Sequence, residues 1–123
     1  MKREAFEELV AAAVERLPGE FAERLDNVAI VVQDAPTRRQ LGGPRGERGM
    51  TLLGLYEGVP ITERTHDYGM VLPDKITLFQ GPIEASCRTE EEIVAMIQRV
   101  VRHEIAHHFG ITDERLDEIE GED

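Results

Sequence analysis

The stretch His103-Glu-Ile-Ala-His-His-Phe-Gly-Ile-Thr-Asp113 decides how the rest of the chain is read. Its core is H-E-x-x-H at His103, Glu104 and His107, extended to H-E-x-x-H-x-x-G-x-x-D by Gly110 and Asp113. The pattern carries chemistry only on a helix, where residues four apart stack on one face. The residues before it supply that helix. Thr89 followed by Glu92 has the spacing of a capping box, and Glu90, Glu91 and Glu92 put negative charge where the helix dipole favours it. Ile93, Met96, Ile97, Val100 and Val101 then recur at helical spacing, with Arg99 and Arg102 on a solvent face. The row Met96, Val100, His103, His107 sets both histidines on the continuation of the apolar stripe, where the helix should emerge into a cleft.

Two neutral imidazoles at i and i+4 are able to grip one Zn2+ ion. Glu104 is rotated one residue further round, better placed to act as general base than to ligate. A catalytic zinc takes three protein ligands and keeps an open position, so a third donor is expected. Gly110 suits the left-handed turn that ends a helix, which makes Asp113 the candidate. Two other readings of that segment stay open. Thr112 is also placed to cap a last helix from Asp113 to Ile119, with Asp113 as a first-turn acid, and Glu114 and Asp117 are substitute ligands. His108 points about 100° away from His107 and should lie outside the metal's ligand set.

The run H-E-I-A-H-H-F-G-I-T-D-E-R-L resembles the active helix of the minimal zincins, a family of small bacterial metallopeptidases. Leu53-Gly-Leu-Tyr-Glu-Gly-Val-Pro-Ile-Thr-Glu-Arg64 and Leu72-Pro-Asp-Lys-Ile-Thr-Leu-Phe79 are similar to the same family, so the likeness runs from about residue 50 onward. The resemblance implies a compact α/β (α+β) zincin fold and zinc-dependent peptidase activity. It also implies His103 and His107 as ligands, Glu104 as catalytic acid/base, and Asp113 in the third-ligand position. The sequence departs from the larger metzincins, since Asp113 stands where their third histidine would, and with ten residues after Asp113 no Met-turn is expected.

Length and composition bound what else the chain does. With 123 residues one domain spanning 1–123 is expected, large enough for one core. The formal charge of −11 argues against nucleic acid and against an anionic membrane surface, both of which require a basic face. Cys87 is the only cysteine, which excludes an intramolecular disulfide, and a lone thiol just ahead of the helix cap reads as a small buried apolar residue. Neither a signal core nor a run of membrane-spanning length is visible, so a cytoplasmic location is expected.

From the N-terminus, residues 3–17 read as an amphipathic helix carrying Phe6, Leu9, Val10, Ala13, Val14 and Leu17. Pro18 and Gly19 end it, and Pro18 opens a short second helix through Phe21 and Leu25. Val28-Ala-Ile-Val-Val32 is the clearest strand and is expected at the centre of a sheet, because nothing in it suits water. Residues 35–49, rich in Gly, Pro and Arg, read as a loop. Met50–Tyr56 and Lys75–Gln80 read as further strands, and Ile83–Cys87 as a helical turn before the long helix. His66 and Tyr68, in the polar loop between those strands, are candidates to contact the substrate or stabilise an oxyanion.

The resulting expectation is one zincin-like domain. A small mixed sheet of about three to four strands packs against an N-terminal helix and the long H-E-x-x-H helix. Its expected function is zinc-dependent hydrolysis of peptide or protein substrates, most simply as an endopeptidase. A non-catalytic zinc-binding interaction module is the alternative, and a hydrolase of small amides a third reading. Glu104 speaks for catalysis, because a structural zinc site has no need of a carboxylate between its two ligands and is normally closed by four ligands.

Overall fold

The computed structural model describes residues 1–41, 52–58 and 73–110. In chain order these form α1 (Arg3–Glu15), α2 (Gly19–Arg24), β1 (Val28–Gln33), β2 (Gly54–Glu57), β3 (Asp74–Phe79), α3 (Gln80–Ala85) and α4 (Glu90–Phe109). The mixed α+β architecture agrees with the expectation from sequence.

α1 buries Phe6, Val10 and Ala13, an i, i+4, i+7 row, and stops two residues short of the expected end. Leu17 is nevertheless 7% exposed and belongs to the same core. Pro18 stands just before α2, where its missing N–H costs nothing, and α2 drives Phe21 fully into the interior. Pro82 is likewise tolerated in the first turn of α3, the short helix into which β3 runs without a loop.

The sheet order is β1-β3-β2, with β1 parallel and β2 antiparallel to β3. This corrects the expectation that the Val28–Val32 run lies at the centre. β1 is an edge among the described strands, its residues are half-buried, and Val31 is 39% exposed. The centre belongs to β3. Ile76 and Leu78 fill one face, while Thr77 and Phe79 on the other are also shut off from solvent. An apolar run shows that a strand is suited to burial, but its place in the sheet is set by what packs on it. Here the helices cover β3 more completely than β1.

α4 follows its sequence signals closely. The Thr89 hydroxyl accepts from Glu92 N at 3.1 Å, and the Glu92 carboxylate reaches back to accept from Arg88 N at 2.9 Å. Ile93, Ile97, Val101 and Ile105 form the buried row, with Val100 and Ala106 beside it. Gln98 donates to Ala13 O at 3.1 Å and so ties α4 to α1 through a backbone carbonyl. Gly110 ends the helix at φ 70°, as the sequence predicts.

Polar contacts fix the chain start. Arg3 donates to Gln80 Oε1 at 2.8 Å and to Val32 O at 3.0 Å, and it pairs with Asp34. The N-terminal amine meets Glu84 at 3.1 Å. The Glu84 carboxyl is held below its ordinary value, mainly by the hydrogen bond from Gln80, with the amine adding to it. Cys87 is half-buried against the core, and desolvation raises its thiol pKa, with Glu92 nearby adding to the shift. That is the environment of an inert thiol rather than a nucleophile. No helix among the described residues is long and apolar enough to cross a membrane.

Candidate metal centre and catalytic cleft

His103, Glu104 and His107 all lie on the last turns of α4. They do not continue the fully buried row Ile97, Val101, Ile105. They continue its flank, along which burial falls from Val100 at 8% through half-buried His103 and Glu104 to exposed His107. That flank forms one wall of a cleft of about 410 Å³, to which Met96, Val100, His103 and Glu104 contribute from the helix and Leu53 and Gly54 from the approach to β2.

The opposite wall is the edge of β2 that no described strand covers. Phe79 N donates to Leu53 O at 3.0 Å, which puts Leu53 in a hydrogen-bonded pair with Phe79. In an antiparallel ladder such pairs alternate. Leu55 and Glu57 therefore face β3 with their amides and carbonyls, and those of Gly54 and Tyr56 turn away from the sheet. One of these outward groups is used: Tyr56 N donates to Glu104 Oε1 at 2.9 Å, across 48 residues of sequence. The carboxylate of the motif is thus fastened to the sheet edge.

Gly54 makes that approach possible. A Cβ at this position would lie 2.4 Å from Val100 Cγ1 and 3.2 Å from Thr77 O. No other residue lets β2 lie this close to α4 without moving one of them.

A cluster at the end of α4 secures the same strand from its other side. The Tyr56 hydroxyl donates to Asp74 Oδ2 at 2.6 Å, and Asp74 is 7% exposed. His108 stacks on the Tyr56 ring with centroids 3.9 Å apart and planes 15° from parallel, and its Nε2 lies 3.8 Å from Asp74 Oδ2. Phe109 meets both rings edge-on, and the Arg24 guanidinium sits 5.0 Å over the Phe109 ring. His108 is therefore occupied with Tyr56 and Asp74. The roles of Tyr56 and Asp74 were missed from sequence, although a glycine inside a strand is a signal for close backbone approach.

The imidazoles of His103 and His107 stand one turn apart with ring centroids 6.4 Å apart and ring planes 70° from parallel. Two nitrogen donors one turn apart on the same helical flank, His103 lining the cleft and His107 exposed next to it, suit zinc. Among the described residues no three His, Cys, Asp or Glu side chains gather as a metal site, so these two are the donors the described residues supply. Asp113, Glu114, Asp117, His66 and Tyr68 lie outside the described residues.

Comparison with known proteins adds two findings. The model of the zincin-like metallopeptidase family matches residues 25–122, nearly the whole chain. Among solved structures, the chain is similar to a conserved hypothetical protein from Thermo thermophilus, with 23% identity and a TM-score of 0.53 over 99% of this chain and 100% of that one. At that identity the likeness speaks for the fold alone. No curated protein matches the chain.

Proposed function

The chain belongs to the zincin-like metallopeptidase family, and on that premise we propose that it is a zinc-dependent endopeptidase with Glu104 as its general base. The observation that carries the proposal is the 2.9 Å hydrogen bond from Tyr56 N to Glu104 Oε1. It joins the carboxylate of the H-E-x-x-H motif to a strand edge that no described strand covers, the kind of edge a protease uses to hold an extended substrate.

His103 and His107, with Asp113 as third ligand, would hold the metal. Zinc there would supply Lewis acidity, the chemistry that activates water and polarises a carbonyl near neutral pH. The rest is the work of the chain's own groups. Tyr56 N–H holds Oε1 of Glu104 and so fixes the carboxylate plane, leaving Oε2 to take the proton from the attacking water. Glu104 then returns that proton to the departing amine. Gly54 N–H and Gly54 C=O face outward on the strand edge, where they are placed to pair with the peptide backbone in the manner of strand addition. His66 and Tyr68 are kept as candidates for oxyanion contact. Unaltered turnover in Tyr68→Phe would remove Tyr68, and unaltered zinc affinity in Asp113→Ala would remove Asp113.

The test is a mass-spectrometric digest of a diverse peptide library by the zinc-loaded protein, run beside Glu104→Gln. Cuts present in the wild type and absent from the variant support the proposal. Identical cuts in both point to a contaminant, and no cuts with zinc bound stoichiometrically move the reading to a non-catalytic zinc module.

A further inference from the structure

The cleft carries one charge that peptide hydrolysis does not require. Arg99 is exposed, stands one helical turn ahead of His103, and lines the same cleft as Glu104. Acidic residues outnumber Lys and Arg by 25 to 14 in this chain, so an arginine would ordinarily find a carboxylate. Among the described residues Arg99 has no ion-pair or hydrogen-bonding partner. Apart from His103 and Glu104, the groups that line the cleft with it are apolar: Leu53, Met96 and Val100, with the bare backbone of Gly54. Glu104, the acid in this cleft, has one oxygen committed to Tyr56 N.

We propose that this part of the cleft is a specificity pocket that selects peptides with an apolar side chain close to an acidic one. The inference rests on the peptidase reading above and names its substrate class. An apolar side chain is seated between Leu53, Met96 and Val100, and a Glu or Asp carboxylate meets the guanidinium of Arg99. The planar fork of an arginine matches a carboxylate with two parallel hydrogen bonds, which a lysine in its place would not reproduce. Spacing supports the pairing. Four helical residues separate Arg99 from His103, a rise of about 6 Å, which is roughly two residues of an extended strand at about 3.3 Å each. Side chains two apart on a strand emerge on the same face, so one peptide face presents a residue to the metal end and an acidic residue to Arg99. The overall charge of −11 would suggest the opposite preference, for basic peptides. Beyond about 8 Å, however, that field is screened at physiological ionic strength, and contact at Arg99 governs selection.

The experiment uses the zinc-loaded full chain and two pools of end-blocked peptides. The pools share random apolar positions and differ only in a fixed central Glu or Lys. The wild type is expected to give kcat/KM about tenfold higher on the Glu pool, the order of effect left to a charge-assisted hydrogen bond once exposure has weakened it. Arg99→Glu is expected to invert the ratio. An unchanged ratio in the variant overturns the proposal. If neither protein cuts either pool, the peptidase reading fails but the pocket is still tested. Fluorescence anisotropy then measures binding of the same pools to Glu104→Gln and to Glu104→Gln/Arg99→Glu. A preference for Glu peptides that inverts with residue 99 sustains the pocket, and equal or absent binding of both pools overturns it.

Discussion

β1 and β2 flank the same central strand, and they differ in a way that shows how this fold makes a site. β1 is six residues long, almost wholly aliphatic, and paired with β3 over its full length. β2 has four residues, one of them a glycine, and pairs over four. By hydrophobicity and length β1 is the better strand. Yet β2 holds Glu104, frames the cleft and touches the helix that carries the motif, whereas β1 serves the core with one face and leaves Val31 to solvent. The lesson is that a strand's chemistry follows from how near its edge comes to the helix bearing the motif. That distance is governed by the side chain that Gly54 lacks.

The largest break in this comparison is expected at Gly54. Gly54→Val should cost about 3 kcal/mol through overpacking against Val100 and the Thr77 carbonyl, and should lower peptidase activity with it. Gly54→Ala combined with Val100→Ala should recover most of the loss seen in Gly54→Ala alone, because the methyl that would be struck is gone. Val31→Thr on β1 should stay within about 0.5 kcal/mol of wild type, as exposed substitutions do. Chemical denaturation of the four proteins checks the set, and equal costs on the two strands would erase the distinction.

A smaller effect is expected where the side chain of β2 is anchored. Tyr56→Phe removes the donor to nearly buried Asp74 and should cost about 1–3 kcal/mol. Its backbone N–H remains, so the loss should appear in stability more than in kcat. A fall in kcat with unchanged stability would instead place the hydroxyl in the chemistry.

A smaller loss still is expected remote from the cleft, where α3 meets the chain start. Glu84→Gln should cost about 0.5–1 kcal/mol at neutral pH, the range of a partly exposed ion pair. The Glu84 carboxyl is held below its ordinary value in the folded state, chiefly by Gln80. Its contribution is therefore present above the unfolded-state pKa and is lost as pH falls through the folded one. The gap in melting temperature between wild type and Glu84→Gln should narrow in acid, and a gap that widens would contradict the assignment.

These contrasts also show what a sequence discloses. The long helix was legible to within a residue, because cap, dipole, apolar row and terminal glycine are all local signals along one segment. So was the placement of His103, Glu104 and His107 on one side of it. β1's rank in the sheet was not legible, since its aliphatic run fits an edge half-covered by helices as well as a centre. The partner of Glu104 was hidden for a different reason. Tyr56 enters the site through its backbone amide, which every residue but proline possesses, and the bond spans 48 residues. Only Gly54 marked the place. Asp113, His66 and Tyr68 lie outside the described residues, and their roles rest on the sequence.

The central claim is that Glu104, held by the β2 edge, moves the proton in peptide hydrolysis. Its most direct test is steady-state cleavage of the best library peptide by zinc-loaded wild type and Glu104→Gln, with zinc content measured on the same samples. A fall in kcat of about 10²- to 10⁴-fold with zinc retained is the predicted result. Equal kcat in the two proteins, at equal zinc content, would contradict it.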